Sequence, residues 1–160
     1  MIRSAVLSIA TAALLAITAA PAFAGPAETA FLQKLAANWT GRGKLTGPSG
    51  GPIACRVVIT GGGQSTKYQG RCAIPDMATQ AFNGSIVYND AKARYEARTL
   101  GGVEVGTRRG NSLFFTDSQN TMAGMASSTM TMSPSSLVID FSLTDKKTGE
   151  RSSARITFSK

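Results

Sequence analysis

Histidine is absent from all 160 residues, and that gap removes a good deal of chemistry. Without imidazole there is no Ser-His-Asp or Cys-His arrangement, no side chain whose ordinary pKa lies near neutrality, and none of the commonest metal ligand. Acid is scarce as well, with 9 Asp and Glu against 17 Lys and Arg and a formal net charge of +8. The basic residues form no block of five or six, so nothing in the chain reads as a nucleic-acid-binding tail. Neither Gly61-Gly62-Gly63 nor Gly101-Gly102 runs into Lys-Ser or Lys-Thr, which leaves no phosphate-cradling loop. The expectation is a non-enzymatic protein without cofactor or metal.

One mostly apolar run without charge spans Ala5 to Ala20, preceded by Arg3 and followed by Ala22-Phe23-Ala24. A charged start, an apolar core and an A-x-A site form the pattern of a secretory signal peptide. The apolar core falls short of the ~20 residues a membrane span needs. Residues 1–24 are therefore expected to be a signal peptide and 25–160 a single domain, periplasmic or secreted, with no membrane span in the mature chain. Gly25 stands where a lipoprotein would carry cysteine. In that compartment the two cysteines, Cys55 and Cys72, read as a disulfide. The basic excess there points to an anionic envelope component, such as anionic lipid, lipopolysaccharide or acidic glycan, rather than nucleic acid.

Pro26 suits a first helical position and Glu28 a first turn. Phe31, Leu32, Leu35 and Trp39 recur at near-helical spacing and predict a short amphipathic helix over roughly Ala27 to Ala37. After Trp39 the period drops to two. Ile53, Cys55, Val57 and Ile59 share one face, as do Tyr68, Gly70, Cys72 and Ile74, with a glycine-rich loop between. Pairing residues whose numbers sum to 127 brings Cys55 to Cys72, Val57 to Gly70 and Ile59 to Tyr68. The same pairing sets Arg56 against Arg71, and like charges across a ladder repel. Either the register slips by two, or a carboxylate or bound anion sits between them.

Further hairpins follow. Phe82, Gly84, Ile86 and Tyr88 alternate, then Ala93, Tyr95, Ala97 and Thr99 after a turn at Asn89-Asp90. Val103, Val105 and Thr107 lead to a turn at Arg109-Gly110-Asn111, and Leu113 and Phe115 return. Leu137, Ile139, Phe141 and Leu143 alternate before Asp145-Lys146-Lys147-Thr148-Gly149 turns the chain into a last strand bearing Ala154, Ile156 and Phe158. The fold class is all-β: an antiparallel meander of about 8–10 strands closed into a small barrel, with one short N-terminal helix. A flattened two-sheet sandwich has the same periodicity.

The segment Asn38-Trp39-Thr40-Gly41-Arg42-Gly43 resembles the opening of calycin-type barrels, although here the glycines follow the tryptophan. With Cys55 and Cys72 flanking a glycine-rich hairpin, the region from Gly25 onward is similar to a group of small exported proteobacterial β-barrel proteins. The resemblance implies fold and address, and no activity.

Tyr68, Phe82, Tyr88 and Tyr95 fall on predicted inward faces and are the candidate ligand-binding residues. Gly70, Gly84, Ala93 and Ala97 on the same faces leave volume beside them. The expectation is a barrel holding a small hydrophobic or amphipathic ligand. The alternative is an envelope interaction protein, or a protease-inhibitor-like module, acting through its loops or basic face. Met122, Met125, Met130 and Met132 form a cluster that could take Cu(I), although strand spacing equally suits a core. Glu96, Glu104 and Asp140 are the carboxylates that a hydrolase would have to bring together, with Asp140 expected on an outer face.

Overall fold

The structure, a computed structural model, describes residues 25–48, 50–62, 64–74 and 79–160, so the predicted signal peptide lies outside the described residues. A helix α1 (Gly25–Lys34) precedes ten strands: β1 (Ala37–Thr46), β2 (Gly51–Gly62), β3 (Ser65–Ala73), β4 (Gln80–Asn89), β5 (Arg94–Thr99), β6 (Gly102–Arg109), β7 (Ser112–Asn120), β8 (Gly124–Ser133), β9 (Ser136–Asp145) and β10 (Arg151–Ser159). Each strand pairs antiparallel with the next, and β10 returns to β1, setting Gly41 against Phe158 and Lys44 against Arg155. The sheet is thus a closed barrel rather than a sandwich, and closure leaves no exposed ladder edge.

The helix is shorter than its spacing predicts. It gives way where Leu35 N–H bonds Leu32 C=O and Ala36 N–H bonds Gln33 C=O. Trp39, read as a fourth helical repeat, belongs to β1, where it shares the inner face with Gly41 and Leu45. Phe31, Leu32 and Leu35 are buried against one end of the barrel. They belong to one buried cluster with Trp39, Ile86, Leu113, Phe115 and Leu137, all 2 % exposed or less. Each large apolar side chain buried this way contributes ~1.5–3 kcal/mol. Polar ties fix the docking. The Glu28 carboxylate accepts from Arg108 Nη1 at 2.7 Å and from the Tyr95 hydroxyl, and the Thr66 hydroxyl donates to Leu32 C=O at 3.1 Å. Arg108 also lies 4.1 Å over the Phe31 ring. This end of the barrel is stoppered.

Of the two registers left open for the first hairpin, the structure takes the pairing that sums to 127. Cys55 faces Cys72 and is bridged to it, Val57 faces Gly70, and Ile59 faces Tyr68. No slip occurs, so Arg56 and Arg71 stand directly opposite each other on the outer wall.

Strand β6 runs against its own hydrophobic pattern. Val103 and Val105 are 56 % and 48 % exposed, while Glu104 and Gly106 take the inner face. Packing explains the inversion. Gly106 lies between Tyr95 on β5 and Phe115 on β7, and a Cβ there would come 2.5 Å from Cε1 of Phe115. Only a residue without a side chain fits between the two rings, and its position fixes every other residue of the strand.

Candidate functional site at the open end of the barrel

Opposite the helix, the inner face changes character. Tyr68 and Phe82 on β3 and β4 are only partly buried, and so are Met130 and Ile139 on β8 and β9. Phe141, on the same face of β9 as Ile139, is 37 % exposed. Strands β4 and β9 stand on opposite sides of the ring. Two apolar walls therefore face one another across this mouth.

Carboxylates lie between them. Continuing the β6–β7 ladder two residues past Gly106 and Phe115 sets Glu104 across from Asp117, both on inward positions. Burial, and secondarily the Asp117 charge, raises the Glu104 carboxyl above its ordinary pKa of 4.5. Burial, reinforced by Glu104, likewise raises the Tyr68 hydroxyl above 10.0. The three groups are electrostatic neighbours on three different strands. Together they offer a hydrogen-bonding patch of negative potential inside an apolar rim.

The four aromatics singled out in the sequence divide into two pairs. Tyr68 and Phe82 lie together toward the mouth, with ring centroids 6.5 Å apart. Tyr88 and Tyr95 meet edge to face at 5.0 Å at the stoppered end, and Tyr95 also contacts Phe31 of the helix at 6.0 Å. The volume expected at the glycines is already taken. A Cβ on Gly70 would lie 2.5 Å from the Phe82 ring, and one on Gly84 would lie 2.5 Å from the Tyr68 hydroxyl. Each glycine thus makes room for the aromatic directly across the ladder. Ala93 leaves the pattern altogether: with φ of 47° it caps a short 3-10 turn, Asp90–Lys92.

Two other candidate clusters disperse. Glu96 and Asp140 lie on the outer wall, on β5 and β9, while Glu104 points inward, so the three carboxylates do not converge. Glu96 is held by Arg94 at 3.0 Å and Arg98 at 2.8 Å, and Asp140 by Arg155 at 3.1 Å. Met130 and Met132 share the inner face of β8, Met125 lies on the outer one, and Met122 is fully exposed in the loop before that strand. No thioether cage forms from these four.

Asp117 is the residue that sequence reasoning missed. Its signal is arithmetic: pairs summing to 221 across the Arg109-Gly110-Asn111 turn place it opposite Glu104.

No family model matches the chain, and no curated protein sequence matches it. Solved structures do. Rv2717c from M. tuberculosis superimposes with a TM-score of 0.55 at 15 % identity, over 84 % of this chain and 97 % of that one. The S-type phycobiliprotein lyase CPES from Guillardia theta gives 0.55 at 9 % identity, over 82 % and 90 %. What the likeness shares is the fold of the barrel. At such identities the likeness concerns architecture alone.

Proposed function

We propose that this chain is an exported, non-enzymatic barrel protein that holds one small amphipathic molecule in the open half of its barrel. The observation that carries the reading is the asymmetry of the lumen. One end is sealed by α1, while the other presents partly exposed inward aromatics around Glu104 and Asp117. The ligand's apolar body would lie between the Tyr68–Phe82 pair and the Ile139–Phe141 wall, where burial of its surface supplies the affinity. Its hydrogen-bond-donating or cationic head would meet Glu104 and Asp117. Tyr88 and Tyr95 then serve as the floor beneath the site, set by the docked helix. A disulfide-bridged chain in which no described helix is long and apolar enough to span a membrane is compatible with an extracytoplasmic address. The periplasmic or secreted location rests on the leader pattern, and kinship with small proteobacterial barrels on the Trp39 and cysteine-hairpin motifs. That a barrel neighbour is named a phycobiliprotein lyase supports small-molecule handling as a use of this fold.

The test is a fluorescence titration with the neutral probe N-phenyl-1-naphthylamine, combined with mass spectrometry of organic extracts of the freshly purified protein. Saturable binding of one equivalent, displaced by dodecylamine and weakened in Phe82→Ala and Glu104→Gln, is expected. Absence of any saturable binding, with no extracted molecule, defeats the proposal.

A further inference from the structure

The basic residues that look scattered along the chain are gathered by the fold. Arg42 and Lys44 on β1, Arg56 on β2, Lys67 and Arg71 on β3, and Arg151 and Arg155 on β10 all occupy exposed outward positions. Strands β10, β1, β2, β3 and β4 are consecutive around the barrel, and none contains Asp or Glu. These five strands thus form a wall with basic residues and no carboxylate of its own, with Arg155 paired to Asp140 of the adjacent β9, whereas β5 to β9 carry Glu96, Glu104, Asp117, Asp140 and Asp145.

The focus of that wall is Arg56 opposite Arg71. Side chains directly across an antiparallel pair have Cβ atoms ~4.5–5.5 Å apart, close enough for two guanidinium groups to repel. Among the described residues neither has an acidic partner. The strain cannot be relieved by slippage, because the Cys55–Cys72 bridge occupies the next position of the same ladder. The chain thus fixes covalently an apposition that costs folding energy, and an anion between the two forks removes that cost. Guanidinium groups donate paired hydrogen bonds to the oxygens of a carboxylate or sulfate, which suits such a site.

We infer that Arg56 and Arg71, clamped side by side by the disulfide, anchor an acidic polysaccharide along this wall. The charge continues past the pair to Arg42 and Lys44 on the outer face of the adjacent strand β1, so a chain of anionic units is a better match than a single ion. Lys44, Arg151 and Arg155 border a groove of about 510 Å³ that also contains Asp140, paired with Arg155 at 3.1 Å, and Thr46 and Ser153, whose hydroxyls lie 2.9 Å apart. Hydroxyls interleaved with cations suit sugar rings. A lipid surface fits less well, because interfacial binding combines basic groups with inserted apolar ones. Of the large exposed apolar side chains, Leu100, Val103, Val105, Met122 and Met125 lie off these five strands, and Phe141 reaches the groove from β9. The inference is independent of the mouth of the barrel.

Binding of the purified protein to dextran sulfate, to uncharged dextran, and to phosphatidylcholine vesicles containing phosphatidylglycerol tests it. Salt-sensitive binding to dextran sulfate alone is expected, weakened about tenfold or more in the Arg56→Ser, Arg71→Ser double variant. Without polysaccharide that variant should melt at the same temperature as the parent or higher, which separates lost binding from lost folding. Arg109→Ser removes a cation from β6, away from this wall, and should change affinity less than twofold if location matters. Undiminished binding by the double variant, an equal loss in Arg109→Ser, or capture by the vesicles without capture by dextran sulfate overturns the inference.

Discussion

Gly106 faces Phe115 across the β6–β7 ladder, and the ring of Phe115 occupies the space where a side chain on Gly106 would stand. Phe115 is 1 % exposed and cannot swing away into solvent. In an ordinary strand, replacing glycine by alanine stabilises by limiting the unfolded chain. Here the sign should reverse. Gly106→Ala is expected to cost ~1–3 kcal/mol through overpacking, measured by urea unfolding followed through Trp39 fluorescence. Adding Phe115→Leu should recover part of that loss, a positive coupling that a purely backbone effect does not produce.

Glu104 carries a stability cost of its own. Its pKa is raised in the folded protein, so the fold binds its proton more tightly than the unfolded chain does. Stability therefore falls as pH climbs from the ordinary 4.5 of an unfolded glutamate through the raised folded value. Glu104→Gln should raise the melting temperature at pH 7, and its advantage should vanish below about pH 4. If the variant also binds the mouth ligand less tightly, Glu104 trades stability for recognition. A variant destabilised at pH 7 contradicts the buried-carboxylate account.

The disulfide joins positions separated by 17 residues. Chain-entropy arithmetic for a loop of this size gives ~3 kcal/mol of stabilisation. Cys55→Ala with Cys72→Ala should lose about that much in a denaturant midpoint taken at constant slope. Because the bridge also enforces the Arg56–Arg71 apposition, the loss should be smaller at low ionic strength than at high, where salt already screens the repulsion.

Strand alternation made the antiparallel meander legible from sequence wherever one face was apolar, while its closure into a barrel rather than a sandwich came only with the β1–β10 pairing. The Cys55–Cys72 bridge, the outward Asp140 and a strand count of about 8–10 follow from period-two patterning and turn residues, whereas the choice between two registers at Arg56 and Arg71 did not. The pattern misleads at β6, where Val103 and Val105 look like a core face. A neighbour on each side overrode local hydrophobicity there, and that constraint is visible only once Tyr95, Gly106 and Phe115 are seen at one level. The same blindness hid the Glu104–Asp117 pair. It also made Gly70 and Gly84 look like empty volume, since a single strand's sequence does not say which ring fills the gap on its partner. The positive wall was illegible for a related reason: its charges come from both ends of the chain and meet only when β10 closes on β1.

Glu96 should contribute to the acid limit of this protein, alongside Asp145, whose carboxyl the Thr148 and Lys147 backbone N–H groups also hold low. Although on the outer wall, it is 3 % exposed, covered by the side chains that grip it. The Arg98 guanidinium holds its carboxyl down to about 2, against burial that pushes the other way, and Arg94 and Asn89 add further hydrogen bonds. A carboxylate whose folded pKa lies below its unfolded value stabilises the fold at pH values above the unfolded one, and that contribution drains away as pH falls toward the folded one. The window here runs from about pH 4.5 down to about pH 2. Thermal melts across it, read by the single buried Trp39, should show a steep decline in the parent. Glu96→Gln should start less stable at pH 7 and lose little more, so that the two curves converge near pH 2. Parallel curves would mean that the Arg94–Glu96–Arg98 cluster carries no net stabilisation, and that the acid limit lies with another carboxylate.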